Sequence, residues 1–252
     1  MKPPVYQKEL SQSSPILLDR DYKRPKVEKM LAVLQESGVL PTLPQGVVLD
    51  VGCSRGFFIA GLAPYFVQAI GLDIDTGALA LARMENTQEN LLLVQGDSMA
   101  LPLADSSVDL ILCNHVYEHV PSASQLFREI FRVLRSGGAC YLGAATWYSI
   151  IEPHYHLPFL SWLPKPLAHR YMRLFGKGDY YYENLLSFWG IRRLTSAFLV
   201  TDYSIPVIME PDLFRARDLI PQGSMMTRIP RKFWKAFYWA FPSYILVLKK
   251  PS

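Results

Sequence analysis

Short apolar runs alternate with amphipathic stretches through the first part of the chain. Apolar runs occupy residues 47–51, 67–72, 91–94, 108–113 and 139–144, and stretches with helical spacing occupy residues 57–63, 78–85 and 125–134. Runs that are apolar throughout are typical of strands buried on both faces, and helices between them would cover a parallel sheet. The pattern therefore predicts an α/β fold built from successive strand–helix–strand units.

A helix is also predicted before the first of these strands. Apolar residues recur at helical spacing between Val27 and Leu34, and Gly38 is a suitable stop for the helix. We therefore interpret residues 1–45 as an N-terminal helical segment and residues 46–252 as the main domain.

The regular alternation ends after the fifth apolar run. Residues 148–189 contain 11 aromatic residues and several prolines, so we predict an aromatic-rich insertion after strand five that forms a lid over the substrate. Beyond it, the spacing predicts a helix near residues 184–197, a strand near residues 198–208, an aromatic helix and a final strand. The chain is thus expected to form one α/β domain with a late insertion.

Charge is distributed unevenly along the 252 residues. Residues 1–160 contain 12 Lys and Arg against 16 Asp and Glu, residues 161–252 contain 14 against 6, and the net charge is +4. A basic C-terminal part attracts anionic partners, such as a phosphorylated substrate, a membrane surface or nucleic acid. A solvated surface without a partner explains the same charge equally well.

Composition allows a packed core, because half of the residues are hydrophobic and 19% are charged. The three cysteines, Cys53, Cys113 and Cys140, lie far apart in apolar segments, which suits reduced thiols in the cytoplasm. The N-terminus has no apolar run long enough for a signal peptide. The most apolar window, residues 236–248, is shorter than the roughly 20 residues that span a bilayer. We expect a cytoplasmic protein, with contact at the inner face of a membrane as an open alternative.

The turn after the first apolar run carries the first chemical signal. Residues 47–58 read VVLDVGCSRGFF, with glycines spaced G-x-x-x-G rather than the G-x-G-x-x-G that brings a pyrophosphate to a helix N-terminus. Asp50 at the start of the turn would repel a diphosphate and attract a cation. The turn therefore favours a positively charged nucleoside without phosphates and argues against a nicotinamide-dependent oxidoreductase.

Three further segments follow this turn. IGLDID ends the second run with Asp73, QGDSMALPLADSSVDLILCNHVYEHV includes the fourth run, and REIFRVLRSGGACYL is typical of a helix, a glycine turn and a fifth strand. Together with LDVGCSRGFF, these segments resemble, over roughly residues 45–145, the class I S-adenosylmethionine-dependent methyltransferases with a type 11 methyltransferase domain. Ser54 stands where the first motif of that family commonly has its middle glycine.

The resemblance implies a Rossmann-like, seven-stranded, mostly parallel sheet with helices on both faces, and S-adenosyl-L-methionine as cofactor. It implies that Asp73 accepts hydrogen bonds from the ribose hydroxyls, that Asp97 lies near the adenine amino group, and that Asn114 and His115 face the cofactor. The side chain of Cys53 is expected to pack. The predicted cofactor-binding residues are Asp50, Gly52, Cys53, Ser54, Gly56, Asp73, Ile74, Asp97, Ser98, Met99, Asn114 and His115.

The insertion offers candidates for a general base. Methyl transfer from a sulfonium to a hydroxyl needs aligned reactants and benefits from a group that takes the hydroxyl proton. In WYSIIEPHYHLPFLSWLP, His154 and His156 would share a face of an extended segment, so we predict that one of them is the catalytic base. The alternative is two polar residues in an aromatic lid. A third metal ligand is not apparent, so no metal site is predicted, while His119 is expected to be structural and Asp75 to cap a helix.

The many aromatic residues favour O-methylation of an amphiphilic acceptor, namely a lipid, an isoprenoid or a lipid-linked glycan. Alternatives are a soluble small aromatic or phenolic metabolite, and a catalytically silent protein that only binds S-adenosylmethionine. Nucleic acid is not expected as a partner, because the basic residues follow no recognisable binding module, and the oligomeric state is not predicted. The residues predicted to contact the acceptor are Trp147, Tyr148, Glu152, Trp162 and Tyr181.

Basic and aromatic residues also occur together near the end of the chain. Residues 228–241, RIPRKFWKAFYWAF, place Phe233, Phe237 and Phe241 four apart. Such a segment packs as a helix on the sheet before the last strand, or it lies in a membrane interface. We favour packing and leave the membrane as the alternative.

Overall fold

A computed structural model describes residues 20–40 and 45–252. Its sheet has the order β3-β2-β1-β4-β5-β7-β6. All neighbours pair in parallel except β7, which is antiparallel to β5 and β6. The prediction of a seven-stranded, mostly parallel, Rossmann-like sheet is confirmed. The strands are β1 (Val47–Val51), β2 (Gln68–Asp73), β3 (Leu91–Gln95), β4 (Val108–Asn114), β5 (Leu134–Ala145), β6 (Leu199–Asp202) and β7 (Ser243–Lys249).

Helices cover both faces of the sheet. One face packs against α4 and α6 and the other against α1, α2 and α3, because alternate residues of each strand point to opposite faces. None of the helices in the described residues is long and apolar enough to cross a bilayer. The helices are α1 (Arg20–Glu36), α2 (Phe57–Leu62), α3 (Thr76–Glu85), α4 (Ala123–Val133), α5 (Lys165–Leu174), α6 (Phe188–Leu194), α7 (Ser204–Met209) and α8 (Arg231–Ala236).

Several predicted boundaries were wrong. The strand expected over residues 198–208 ends at Asp202, whose carboxylate accepts a hydrogen bond from the Ser204 backbone N–H at 2.7 Å and starts α7. Pro206 has no N–H for a strand ladder and is tolerated in the first turn of a helix. The helix expected over residues 184–197 is shorter, because the Ser187 side chain caps α6.

Two further differences lie at the ends of other elements. Strand β5 begins five residues before the predicted residue 139, and its register against β4 shifts after Val108. Helix α1 starts at Arg20, upstream of the predicted apolar stretch. The interpretation of residues 1–19 and 41–44 as parts of the N-terminal segment lies outside the described residues.

The segment that we predict to form a lid, residues 148–189 (called the lid below), has a small core of its own, formed by Leu157, Leu160, Ala168, Met172 and Tyr181. Buried Tyr117 links this segment to the sheet, because its hydroxyl donates to the carbonyl of Ala145 in β5 and accepts from the Leu186 N–H. The lid is therefore tied to the end of β5.

Helix α1 is fixed to the rest of the chain by a long-range ion pair. The Lys29 ammonium, only 6% exposed, donates to both carboxylate oxygens of Asp218 at 2.8 and 3.1 Å. Burial lowers the pKa of Lys29, and the charge and hydrogen bonds of Asp218 oppose that shift. A buried ammonium without its partner is costly, so the pair holds α1 against the C-terminal part of the chain.

Removing the acidic partner should therefore destabilise the fold. We expect Asp218→Asn to lower the free energy of unfolding by about 2–3 kcal/mol, less than for a fully buried pair because Asp218 is partly exposed. Arg24→Gln, which breaks the exposed Arg24–Glu28 pair, should cost about 0.3–0.5 kcal/mol. Urea unfolding measures both, and equal costs would contradict the anchoring role of Asp218.

Candidate functional site

A cavity of about 620 Å³ lies where the parallel strands end. Pairing sets Val51 beside Leu72 and Cys113, so the segments that follow β1, β2 and β4 emerge at one edge of the sheet. Ligands of doubly wound folds bind at such an edge. Nine predicted cofactor residues line the cavity: Asp50, Gly52, Ser54, Asp73, Ile74, Asp97, Ser98, Asn114 and His115. Cys53, Gly56 and Met99, also predicted, are outside its lining.

The glycine turn is held by the strand beside it. The backbone N–H groups of Gly52 and Cys53 both donate to the Leu72 carbonyl, at 2.8 and 3.0 Å. Gly52 and Ser54 have φ angles of 71° and 49°. Serine tolerates this left-handed conformation less well than glycine. The Ser54 N–H donates to the Asp73 carboxylate at 2.7 Å, so the turn keeps its shape although the middle glycine is missing.

Cys53 points away from the cavity and into the core. It is buried, and its sulfur would lie 2.9 Å from a Cβ atom added to Gly71. The Cys53 thiol therefore occupies the space that a side chain at residue 71 would need, which supports the expectation that Cys53 packs in the core. Its backbone, rather than its side chain, belongs to the turn.

Asp50 is a buried carboxylate at the base of the cavity. One of its oxygens, Oδ2, is buried with no hydrogen-bond partner among residues 20–40 and 45–252. Burial, and next the negative charge of Asp73, raise the pKa of Asp50 to about 8, while Lys23 opposes the shift. A cationic ligand group would satisfy this oxygen and stabilise its charge.

Asp73 ends β2 with both oxygens already engaged by backbone. Oδ2 accepts from Ser54 N–H and Oδ1 from Asp75 N–H at 2.8 Å, and each oxygen keeps a second lone pair for a ligand hydroxyl. Burial raises the pKa of Asp73. The carboxylate of Asp75 accepts from Ala78 N–H and caps α3, as predicted. Asp97, farther along the wall, accepts from the Met99 N–H at 2.8 Å.

Helix α1 contributes a lysine wall that the sequence analysis missed: Lys23, Lys26 and Lys29 all line the cavity. Burial and the charge of Lys26 lower the pKa of Lys23 to about 8, against the attraction of Asp50. The spacing of three residues places these side chains near one face of the helix. The spacing of the three lysines is visible in the sequence, but whether their side chains face a cavity depends on how α1 packs against the rest of the chain.

The lid supplies a histidine held by a carboxylate. His154 Nδ1 lies 2.6 Å from Glu152 Oε1, and the other oxygen of Glu152 accepts the N–H groups of His154 and Tyr155, each at 2.8 Å. Glu152 is fully buried, whereas His154 lines the cavity. Burial lowers the pKa of His154, but the hydrogen bond and charge of Glu152, with other glutamates, raise it overall. Glu152 thus orients the ring and leaves Nε2 for another partner.

Two other histidines lie near His154. His119 contacts its ring edge-on with centroids 4.9 Å apart, and burial lowers the pKa of His119 to about 4. His156 also lines the cavity, but its φ of 57° and its N–H donated to the Glu152 carbonyl belong to a turn. The two predicted histidines therefore share the cavity without the extended backbone that was assumed.

The structure also brings together three possible metal ligands in a combination that the sequence did not suggest. Donor atoms of Glu118, His119 and His154 lie within 4.8 Å of one another. The absence of a metal site stays a prediction, and His154 is assigned to its contact with Glu152.

The five predicted acceptor residues, Trp147, Tyr148, Glu152, Trp162 and Tyr181, do not line the cavity. Trp147 and Trp162 are exposed, Tyr181 belongs to the lid core, and Glu152 lies behind His154. The lid contributes Ser149 and Pro153 besides its histidines, and β5, β7 and the residue before β7 contribute Tyr141, Ser243, Ile245 and Pro242. Sequence reasoning found the segment but not which of its side chains turn inward.

Residues 49–142 match the family model of a methyltransferase domain. An uncharacterized methyltransferase of Mycobacterium avium is 39% identical over 107 residues, which are 42% of this chain and 42% of that protein. The chain therefore matches less than half the length of this relative.

Solved structures extend the similarity in fold to most of the chain. A putative sarcosine dimethylglycine methyltransferase from Galdieria sulphuraria has a TM-score of 0.56 and 16% identity, covering 92% of this chain and 88% of that one. Geranyl diphosphate C-methyltransferase from Streptomyces coelicolor has a TM-score of 0.52 and 15% identity, covering 88% and 77%; it was solved with Mg²⁺, geranyl diphosphate and S-adenosyl-L-homocysteine. The resemblance to a methyltransferase domain is confirmed over residues 49–142, and the solved structures agree with the chain in fold.

The raised pKa of Asp50 should make stability depend on pH. In the folded protein Asp50 keeps its proton up to about pH 8, whereas in the unfolded chain it keeps it only up to about pH 4. The free energy of unfolding therefore falls as the pH rises from about 4 to about 8. Asp50→Asn should therefore stabilise the ligand-free protein at pH 8, by on the order of a few kcal/mol, and little at pH 4. Denaturant unfolding across pH checks this, with exposed Asp105→Asn as control. A constant difference would contradict the assignment.

Proposed function

We propose, from the methyltransferase domain at residues 49–142, that the chain transfers a methyl group from S-adenosyl-L-methionine to a hydroxyl of an acceptor. The observation that carries this proposal is the shared cavity: His154, oriented by Glu152, lines the same space as Asp50 and Asp73. The proposed base, His154, and the two carboxylates suited to a cationic nucleoside, Asp50 and Asp73, thus line the same cavity. Its size is within the range of small-molecule sites.

The residues at the strand ends fit the cofactor. Asp50 would hold the positively charged amino-acid end, because its Oδ2 is buried without a partner in the described residues. Asp73 would accept the ribose hydroxyls, and Asp97 and Ser98 would contact the adenine. When bound, S-adenosylmethionine supplies an electrophilic methyl group.

His154 is the proposed general base. The acceptor oxygen would take the methyl group that S-adenosylmethionine supplies, leaving S-adenosylhomocysteine, and the hydroxyl proton would pass to Nε2 of His154. Glu152 stabilises the imidazolium that results, because its buried carboxylate contacts Nδ1 at 2.6 Å. The low pKa of His119 keeps that neighbouring ring neutral, so it adds no repulsion. The lid and α1 would exclude water from the reacting groups.

The proposed acceptor is amphiphilic. Along the chain, exposed Trp147 and half-buried Tyr148 come between Ala145 and Ser149, and both of these flanking residues line the cavity. An acceptor with an apolar part could therefore bring its hydroxyl to His154 while the rest contacts these rings. A soluble phenol is the competing acceptor.

Cofactor binding should depend on the two strand-end carboxylates. We expect Asp73→Asn to weaken binding of S-adenosylhomocysteine by about 10- to 100-fold, because it removes charge-assisted hydrogen bonds. Asp50→Asn should weaken it similarly, although that variant is more stable without ligand. Titration calorimetry measures both, with Asp105→Asn as the matched exposed control. Unchanged affinity in both variants, or equal binding of a nicotinamide dinucleotide, would contradict the assigned cofactor site.

Turnover should depend on His154 and on pH. His154→Ala should lower kcat by about 10²- to 10⁴-fold while leaving S-adenosylhomocysteine binding intact, and His156→Ala should remain near wild type. The base acts when deprotonated, so kcat/KM should fall as pH falls through the pKa of His154, which lies above its ordinary value. Glu152→Gln should move this fall to lower pH and reduce the maximum.

The assay is transfer of labelled methyl from S-adenosylmethionine into a fractionated lysate, with Asp73→Asn as control. Label in the lipid fraction supports an amphiphilic acceptor, and label in the aqueous fraction identifies a soluble one. Normal turnover of His154→Ala would refute the base assignment. Loss of turnover with a chelator, restored by a divalent metal, would instead assign His154 to a metal site with Glu118 and His119.

A further inference from the structure

The C-terminal part of the chain carries exposed rings beside the cavity. We define the aromatic face as five exposed residues: Trp147, Trp189, Phe233, Phe237 and Trp239, whose exposed fractions are 40%, 59%, 46%, 51% and 44%. Large exposed apolar patches on soluble proteins mark interaction sites more often than single exposed residues do.

The rings of the aromatic face are connected to one another. Trp239 lies 6.4 Å from Trp189 between ring centroids and 5.6 Å from Tyr148, which in turn contacts Trp147 at 5.4 Å. Phe233 and Phe237 contact each other at 4.7 Å. The half-buried rings of Trp234, Tyr238 and Phe188 and the buried ring of Phe241 join this pair to the rest. The exposed residues are therefore parts of one network.

The segment around α8 has two distinct sides. Trp234 and Tyr238 pack against the core and Phe241 is buried in it, which confirms the predicted packing. Phe233 and Phe237, one helical turn apart, remain in solvent. Packing thus accounts for one side of this segment and leaves the other without a partner in the described residues.

The surroundings of the aromatic face are strongly basic. Residues 221–252 contain six Lys and Arg and no Asp or Glu. Arg228, Arg231, Lys232 and Lys235 are all exposed, and no ion pair is recorded for them within the described residues. Such a surface is complementary to an anionic partner.

We propose that the aromatic face docks on the surface of an anionic lipid bilayer. Trp and Phe side chains enter the region between headgroups and acyl chains, and lysine and arginine around them attract anionic headgroups. A second copy of the chain fits less well, because two such basic surfaces would repel each other. The chain would lie on the membrane rather than span it, in agreement with the lengths of its described helices.

The aromatic face lies next to the cavity. Thr146 donates through its hydroxyl to the Phe241 carbonyl at 2.6 Å and through its N–H to the Pro242 carbonyl at 2.9 Å. Pro242, Ser243 and Ser149 line the cavity. On the proposed function, docking at this face would bring a membrane-borne acceptor to the cavity, whereas docking itself does not require that function.

Vesicle binding by the full chain tests the proposal without any assay of turnover. The probes are vesicles of phosphatidylcholine with and without phosphatidylglycerol, sedimented with wild type and variants at low and high salt. Phe233→Ser/Phe237→Ser removes two exposed rings, and Lys232→Glu/Lys235→Glu reverses two charges. Met84→Ser/Leu92→Ser is the matched control, because these apolar residues are also exposed but lie on α3 and β3.

We expect wild type and control to bind the anionic vesicles, less at high salt, and both test variants to bind at least about tenfold more weakly. Retained S-adenosylhomocysteine affinity would show that the variants are folded. Absence of wild-type binding, or test variants that bind as the control does, would overturn the proposal. So would sedimentation velocity that finds a dimer which Phe233→Ser/Phe237→Ser dissociates, because the aromatic face would then bind a second copy.

Discussion

A buried carboxyl group whose charge is only partly compensated, Asp50, imposes the main electrostatic constraint on this molecule. It lies at the end of β1, where backbone pairing with β2 and β4 fixes its position, and its Oδ2 is buried with no hydrogen-bond partner in the described part of the chain. Such a group lowers stability, and proteins concentrate such costs at sites that bind or react. A cationic ligand group beside Asp50 would recover part of this cost, because it would stabilise the ionised carboxylate.

Both covers of the cavity depend on a nitrogen-bearing side chain held by a carboxylate. Lys29 and Asp218 fix α1 from one side, and Glu152 fixes His154 from the lid. Removing water from these pairs strengthens the attraction within each pair but makes either partner alone expensive. Because the lid also carries the proposed base, the same buried glutamate shapes the wall and adjusts the pKa of His154. The structure of the lid and the proton affinity of His154 therefore depend on the same residue, Glu152.

Sequence patterns predicted the central sheet well and its surroundings less well. Strands β1, β2 and β4 are buried on both faces, and their apolar runs end within one residue of the observed bounds. Strand β3, at the edge of the sheet, is only partly buried, although its apolar run also ends within one residue of the strand end. Asp50 and Asp73 lie at the ends of β1 and β2. Local patterns fail where partners are distant in sequence. Lys29 and Asp218 are 189 residues apart, and the local sequence around either residue does not indicate that they form a pair. The end of β6 was missed because Asp202 forms a local turn with Ser204 that competes with strand pairing.

The segment around α8 shows how one pattern serves two environments. Helical spacing separates its rings into two sets, and the sequence alone does not say which set is buried. Contact with Phe188 and Tyr244 fixes Tyr238 inside, which leaves Phe233 and Phe237 outward with Lys232 and Lys235. Packing and membrane contact, opposed as interpretations of the sequence, are compatible because they use opposite sides. With the proposed docking, the basic charge of residues 161–252 would favour an orientation in which the outward rings meet an anionic surface.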